Sequence, residues 1–140
     1  MNAITAHEPR PLLILGARSF AREVADLVSD VPHLQLAGFV ENTDQALCSE
    51  PIDGLPVYWV DEISGMAATH WCVCAFGSTL RIAFIRQAEA MGFRFASVIH
   101  PTARISRRSI IGDGSIISSG VQIAAKGVPA VVLKHGVNGL

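Results

Sequence analysis

"IHPTARISRRSIIGDGSIISSGVQIAA", residues 99–125, returns isoleucine at every sixth position: Ile99, Ile105, Ile111, Ile117 and Ile123. A helix repeats its apolar positions every three or four residues and a half-buried strand every two, so a strict six belongs to neither. It matches a parallel β-helix built from hexapeptides. Two residues before each later isoleucine stand Ala103, Ser109, Ser115 and Val121, small or β-branched side chains that suit the crowded corners of a narrow prism. A loop that happens to contain isoleucine leaves this second register unexplained.

Each coil of such a helix consumes three hexapeptides, about 18 residues, so residues 99–127 supply fewer than two coils. Pro129 and His135 stand where the next isoleucines would fall. The sequence leaves two readings of residues 128–140: a chain cut short within the coils, by truncation or frameshift, or a tail whose "AVVL" forms a different closing strand.

Upstream the pattern changes. "PLLIL" (11–15) is a continuous apolar run, "GARS" turns the chain, and Phe20, Val24, Leu27, Val28 and Val31 mark one face of a helix that Pro32 ends. "LQLAGFVEN" (34–42) reads as a second strand closing on Glu41 and Asn42. A surface connection follows, then "LPVYWV" (55–60) as a short strand or edge segment and "DEISGM" as a helical turn. "HWCVCAFG" (70–77) is a strand running into Gly77. Ser78 suits the N-cap of "TLRIAFIRQAEAM" (79–91), with Gly92 just past its end. "FRFASVI" (93–99) returns as a strand.

Apolar strands alternating with amphipathic helices argue for an α/β fold, a Rossmann-like parallel sheet with helices on both faces. The expected organisation is a Rossmann-like domain over 1–98, the first coils of a hexapeptide β-helix over 99–127 and an atypical tail over 128–140. In such sheets ligands lie beyond the carboxyl ends of the strands. Those ends are Gly16, Glu41 with Asn42, and Gly77 with Ser78, and the three turns should converge on one crevice.

Composition narrows the partners. The chain has 140 residues, 50% of them hydrophobic and 16% charged, enough for one proper core and an attachment. Eleven basic residues stand against twelve acidic ones, with no basic stripe interleaved with aromatics, so nucleic acid is not an expected partner. No basic segment followed by an apolar one opens the chain, and no apolar run approaches the roughly 20 residues of a membrane span. A soluble, cytoplasmic protein without a membrane partner is expected. Three cysteines, Cys48, Cys72 and Cys74, fit a reducing compartment better than a disulfide framework. Cys72 and Cys74 share a strand face without a second ligand pair and read as buried thiols, so no metal is expected.

"LLILGARSFAREVADLV", "AGFVEN", "CAFGSTLR" and "VIHPTARISRRSIIGDGSIISSGVQIAA" together resemble the sugar acyltransferases of the sialic-acid O-acetyltransferase and bacillosamine-pathway N-acetyltransferase type, over roughly residues 11–125. The resemblance implies a left-handed β-helix, a nucleotide-binding first domain that takes a UDP-sugar, and acetyl-CoA held between neighbouring subunits of a trimer. It also implies a histidine, assisted by an acid, that takes the proton from the attacking sugar amine or hydroxyl. Two departures stand out. The first turn, "GARSFA", is poorer in glycine than the family's, so Arg18 rather than close backbone approach would meet the diphosphate. The family's His-Asp or His-Glu dipeptide is absent, which leaves the catalytic residues unknown and the chain expected to lack the catalytic coils.

The candidate binding residues follow. Gly16, Ala17, Arg18 and Ser19 would present N–H groups and a cation to phosphate, though one glycine after a strand is also what any α/β unit needs. Glu41 and Asn42 would grip a ribose or a pyrimidine edge, or be merely solvated. Gly77, Ser78 and Arg81 would hold uracil or phosphate, or only start a helix. His100 either faces the sugar or marks the structural transition into the coils, and His135 has no acid in the tail to orient it. Arg104, Arg107 and Arg108 are read as contacts to CoA phosphates, contacts to a neighbouring subunit, or plain corner residues. The expected function is a nucleotide-sugar acetyltransferase homologue; the alternative is a non-catalytic nucleotide-binding or oligomerisation module whose open coil end pairs with another chain. An NAD-dependent oxidoreductase fits less well, for the Gly-x-Gly-x-x-Gly signature is missing.

Overall fold

Strand β1, Arg10–Leu15, is apolar because it is covered on both sides: Leu12, Leu13, Ile14 and Leu15 are all fully buried. In the computed structural model, which describes residues 8–124, it lies at the centre of a five-stranded sheet. The other strands are β2 (Leu34–Glu41), β3 (Val57–Trp59), β4 (Trp71–Cys74) and β5 (Arg94–Phe95). Their order is β3-β2-β1-β4-β5, and every neighbouring pair is parallel. Alternate residues of β1 feed two cores. Leu12 and Ile14 pack with Ala21, Val24 and Val28 of helix α1 (Ser19–Val28), and Leu13 and Leu15 with Phe84 and Ala88 of helix α2 (Arg81–Ala90). The period-two strand and the two helix faces thus yield one layered α/β unit.

Local boundaries depart from the sequence reading in three places. Helix α1 ends at Val28, before Pro32, because Ser29, Asp30 and Val31 donate their N–H groups back into the last turn. Helix α2 begins at Arg81, three residues after Ser78, whose Oγ accepts the Leu80 N–H at 3.1 Å instead of capping the helix itself. Gly92, at φ +95°, does stop that helix as expected. The run "FRFASVI" splits: β5 closes the sheet edge, and Val98–Ile99 form β6, which belongs to another pairing.

That second pairing carries the six-residue period. Strand β6 pairs in parallel with β8 (Ile116–Ile117), and β7 (Arg104–Ile105) with β9 (Gln122–Ile123). Each partner lies eighteen residues on, Val98 beside Ile116 and Ile105 beside Ile123. Ile99, Ile105, Ile111, Ile117 and Ile123 meet in one apolar cluster, joined by Ala103 and Val121 from the supporting positions. The chain therefore completes a coil in three hexapeptides, with one isoleucine register facing inward. Pro129, His135 and the rest of the tail lie outside the described residues.

Sheet and coil share a core. Val98 and Ile116 sit in the α1-side cluster with Leu12 and Ile14. On the other side the turn at Gly114 approaches Phe95, a Cβ there standing 3.5 Å from the Phe95 Cβ, so the coil shields the short edge strand β5. Among the described residues no helix is long and apolar enough to cross a membrane.

Candidate functional site

The carboxyl ends of β1, β2 and β4 are tied together through backbone. Gly16 donates its N–H to Val40 O at 2.7 Å, and Ala75 donates to Leu15 O at 2.9 Å. Gly16 holds φ +126°, and a Cβ there would lie 2.8 Å from Ala75 O, so this position needs glycine whatever the ligand. The convergence of the three turns is thus built into the main chain, at the point where the strand order reverses across β1, which is where the crevice expected from the sequence would lie.

Two side chains give that crevice its chemistry. Glu41 is 1% exposed. Its Oε2 accepts from Thr43 Oγ1 at 2.7 Å, from Asp44 N at 3.0 Å and from Thr43 N at 3.3 Å, which fixes the carboxylate. Its Oε1 is buried and has no partner among the described residues. Asn42 donates from Nδ2 to Gln87 Oε1 at 3.1 Å, leaving its own Oδ1 buried and equally unpartnered. A buried acceptor left unmade costs free energy, about 1–3 kcal/mol. Both oxygens therefore await donors, and the adjoining residues supply few.

Arg18 leans toward this pair, its Nη2 4.0 Å from Glu41 Oε2, while its side chain remains 56% exposed. It is also the N-cap of α1, in extended backbone and without a side-chain cap hydrogen bond. Gly77 lies near α1, where a Cβ on it would stand 3.9 Å from the Phe20 ring. Gly16, Ala17, Arg18, Ser19, Glu41, Asn42 and Gly77 are thus set around three adjoining strand ends.

The remaining candidates fall elsewhere. Ser78 is exposed and engaged with Leu80. Arg81 lines a groove of about 600 Å³ beside Cys74, Glu89, Phe93 and Phe95. His100 lies near the far end of α1, in a cavity of about 620 Å³ that runs along that helix past Phe20, Asp26 and Asp30. Its Nδ1 accepts the Thr102 N–H at 3.1 Å and meets Thr102 Oγ1 at 2.8 Å, so Nε2 carries the proton and donates to Asp30 Oδ2 at 3.1 Å. That use of both ring nitrogens suits the structural transition weighed from sequence. Cys72 and Cys74 are buried, and desolvation pushes both thiols up from the ordinary value of 9.0. Among the described residues no group of three His, Cys, Asp or Glu is placed to hold a metal ion.

Sequence reasoning missed Thr43 and Asp44, which hold Glu41, and Gln87, which holds Asn42. The first two follow the strand end directly and read as an ordinary turn. Gln87, forty-five residues from its partner, carries no local signal at all.

Fold and site together define an α/β chain with two buried acceptors at the carboxyl end of β2 in a parallel sheet, continued by an eighteen-residue coil. No family model and no curated protein matches it. Solved structures do. The chain is similar to the H141N mutant of perosamine N-acetyltransferase from Caulobacter crescentus, in complex with CoA and GDP-perosamine, at 24% identity and a TM-score of 0.77. PerB from the same organism, with the same two ligands, matches at 25% identity and a TM-score of 0.74. The acetyltransferase domain of PglB from Neisseria gonorrhoeae, in complex with acetyl coenzyme A, matches at 22% and 0.70. These alignments cover 90–91% of this chain but only 60–63% of those chains, so it spans about three fifths of their length.

Proposed function

We propose that this chain binds a nucleoside-diphosphate sugar in the crevice and serves acetyl transfer from acetyl-CoA to that sugar. The observation that carries the binding half is the pair of buried, unpartnered acceptors, Glu41 Oε1 and Asn42 Oδ1, at the end of β2. An acid at that place in a Rossmann-like sheet accepts from ribose hydroxyls. Arg18 and the first turn of α1 would supply the complementary charge for a diphosphate at the N-terminus of that helix. The likeness to nucleotide-sugar N-acetyltransferases with bound CoA supports the acyl donor.

In this reading the described residues bind and orient rather than move the proton. Acyl transfer needs a base within hydrogen-bond reach of the sugar nucleophile. His100 is committed to Thr102 and Asp30 instead. The base, the left-handed sense of the coil and the trimer that the sequence resemblance implies belong to the same proposal. The base of the nucleotide separates its two lines of support, since the resemblance implies uracil and two of the solved neighbours carry guanine.

Calorimetric titration with UDP, GDP and their hexosamine conjugates, with NADH as comparator, tests the reading. Saturable binding of a nucleoside diphosphate is expected, weakened roughly tenfold by Arg18→Ala and by Glu41→Gln. Binding of neither diphosphate, or affinity indifferent to both substitutions, overturns it. NADH binding alone would return the crevice to a redox cofactor.

A further inference from the structure

Arg104, Arg107 and Arg108 form the one charged motif of the coil that the crevice does not use. Residues 98–124 carry these three arginines and a single acid, Asp113. Asp113 faces the other way, into the groove beside Phe95 and Gly114. All three arginines are exposed, and none is in an ion pair among the described residues. They line a common open groove of about 890 Å³ with Ser106 and Gln122, and among the described residues no carboxylate lines it.

The backbone beneath them is held. Strand β7 sets Arg104 beside its register partner Gln122. At the corner that follows, Ser106 Oγ accepts the Arg108 N–H at 3.1 Å, and Ser109 donates its N–H to Ser106 O at 3.0 Å. Ser109 Oγ then donates to Ala124 O at 2.7 Å, clamping the corner to the next turn of the coil. Binding therefore has to order only side-chain rotamers. Three like charges on a fixed corner repel each other until an anion lies among them, and guanidinium forks suit phosphate oxygens in bidentate geometry.

The geometry points to an anion subsite at this corner of the coil after β7, built to take the phosphates of an oligophosphate ligand. It is separate from the crevice, whose cation is Arg18. A nucleotide sugar offers a diphosphate, and CoA offers a diphosphate together with a phosphomonoester. Only CoA as the source rests on the acetyl-transfer reading above; the subsite itself does not.

The test is calorimetric titration of the whole chain with inorganic pyrophosphate, CoA, dephospho-CoA, UDP and GDP. The wild type is compared with the double variants Arg107→Ala/Arg108→Ala and Arg107→Lys/Arg108→Lys, each first shown to melt as the wild type does. Pyrophosphate should bind the wild type and lose about tenfold or more in the alanine variant, with part regained by lysine, which keeps charge but not the fork. CoA falling in parallel, and more than dephospho-CoA, identifies CoA as the source. UDP or GDP falling instead identifies the nucleotide. Pyrophosphate sensitivity without CoA binding supports the subsite and removes CoA as its ligand. Pyrophosphate binding equal in wild type and alanine variant, or absent from the wild type, overturns the subsite even if CoA binds. Loss of nucleotide binding on Arg18→Ala with the corner unaffected bears on the crevice alone. A change in sedimentation mass in the alanine variant, with ligand affinities unchanged, overturns the subsite in favour of a contact between copies.

Discussion

Gly16 shows how little of the crevice is left to side-chain choice. With φ at +126° and Ala75 O 2.8 Å from where a Cβ would stand, Gly16→Ala must strain the turn or push β4 from β1. We expect a loss of about 1–3 kcal/mol in urea denaturation, and an unchanged midpoint would mean that the turn relaxes freely. Glu41 is different in kind, because its Oε2 bonds hold the turn while its buried Oε1 has no partner among the described residues. The buried thiols make a prediction of their own. Burial raises Cys72 and Cys74 above 9.0, so the folded chain keeps them protonated where the unfolded chain ionises. The unfolded state then binds fewer protons, and stability falls as pH rises past about 9. Comparing urea midpoints at pH 8 and pH 10 checks this, and Cys72→Ala should flatten the decline.

Elements were legible in the sequence wherever burial imposed a period. The run 11–15 read as a strand, and its four successive buried side chains, Leu12 to Leu15, are what a strand covered on both faces requires. The isoleucine register survives in the structure as one cluster. What escaped is what period does not encode. Ser78 stands two residues before the actual N-cap, Leu80, because its hydroxyl takes the Leu80 N–H. Residues 93–99 serve two sheets because the strand leaves one edge to start the coil. The convergence of three turns was readable from strand order, whereas the Asn42–Gln87 bond was not, since it joins two elements only after they pack. The coil offers a sharp test of its own register. Ile117, in the six-residue register, is fully buried, and Ile110, one residue out of that register, is 67% exposed. Ile117→Ala should cost about 2–5 kcal/mol, and Ile110→Ala no more than about 0.5 kcal/mol. Equal effects would break the six-residue assignment.

At the scale of the whole molecule, the decisive contact is Ile116. It is a coil residue, paired with Val98 across eighteen positions, yet it is buried in the cluster that holds Leu12, Ile14 and Val28. His100 adds a polar tie on the same side, from the start of the coil to Asp30 beyond α1. With Asp30 60% exposed, that tie contributes little to stability, so the coupling between sheet and coil is mainly apolar. The two parts should then open together. Native-state hydrogen exchange on the Ile116→Ala variant measures this directly. If the core is shared, the slowest amides of β1 and β4 speed up by the same factor as those of β8, because one cooperative unit sets both. If only β8 accelerates, the coil is an independent appendage resting on the sheet. Asp30→Ala serves as the control, since it removes the polar tie and leaves the apolar one. It should accelerate neither set by more than about fivefold, the equivalent of roughly 1 kcal/mol.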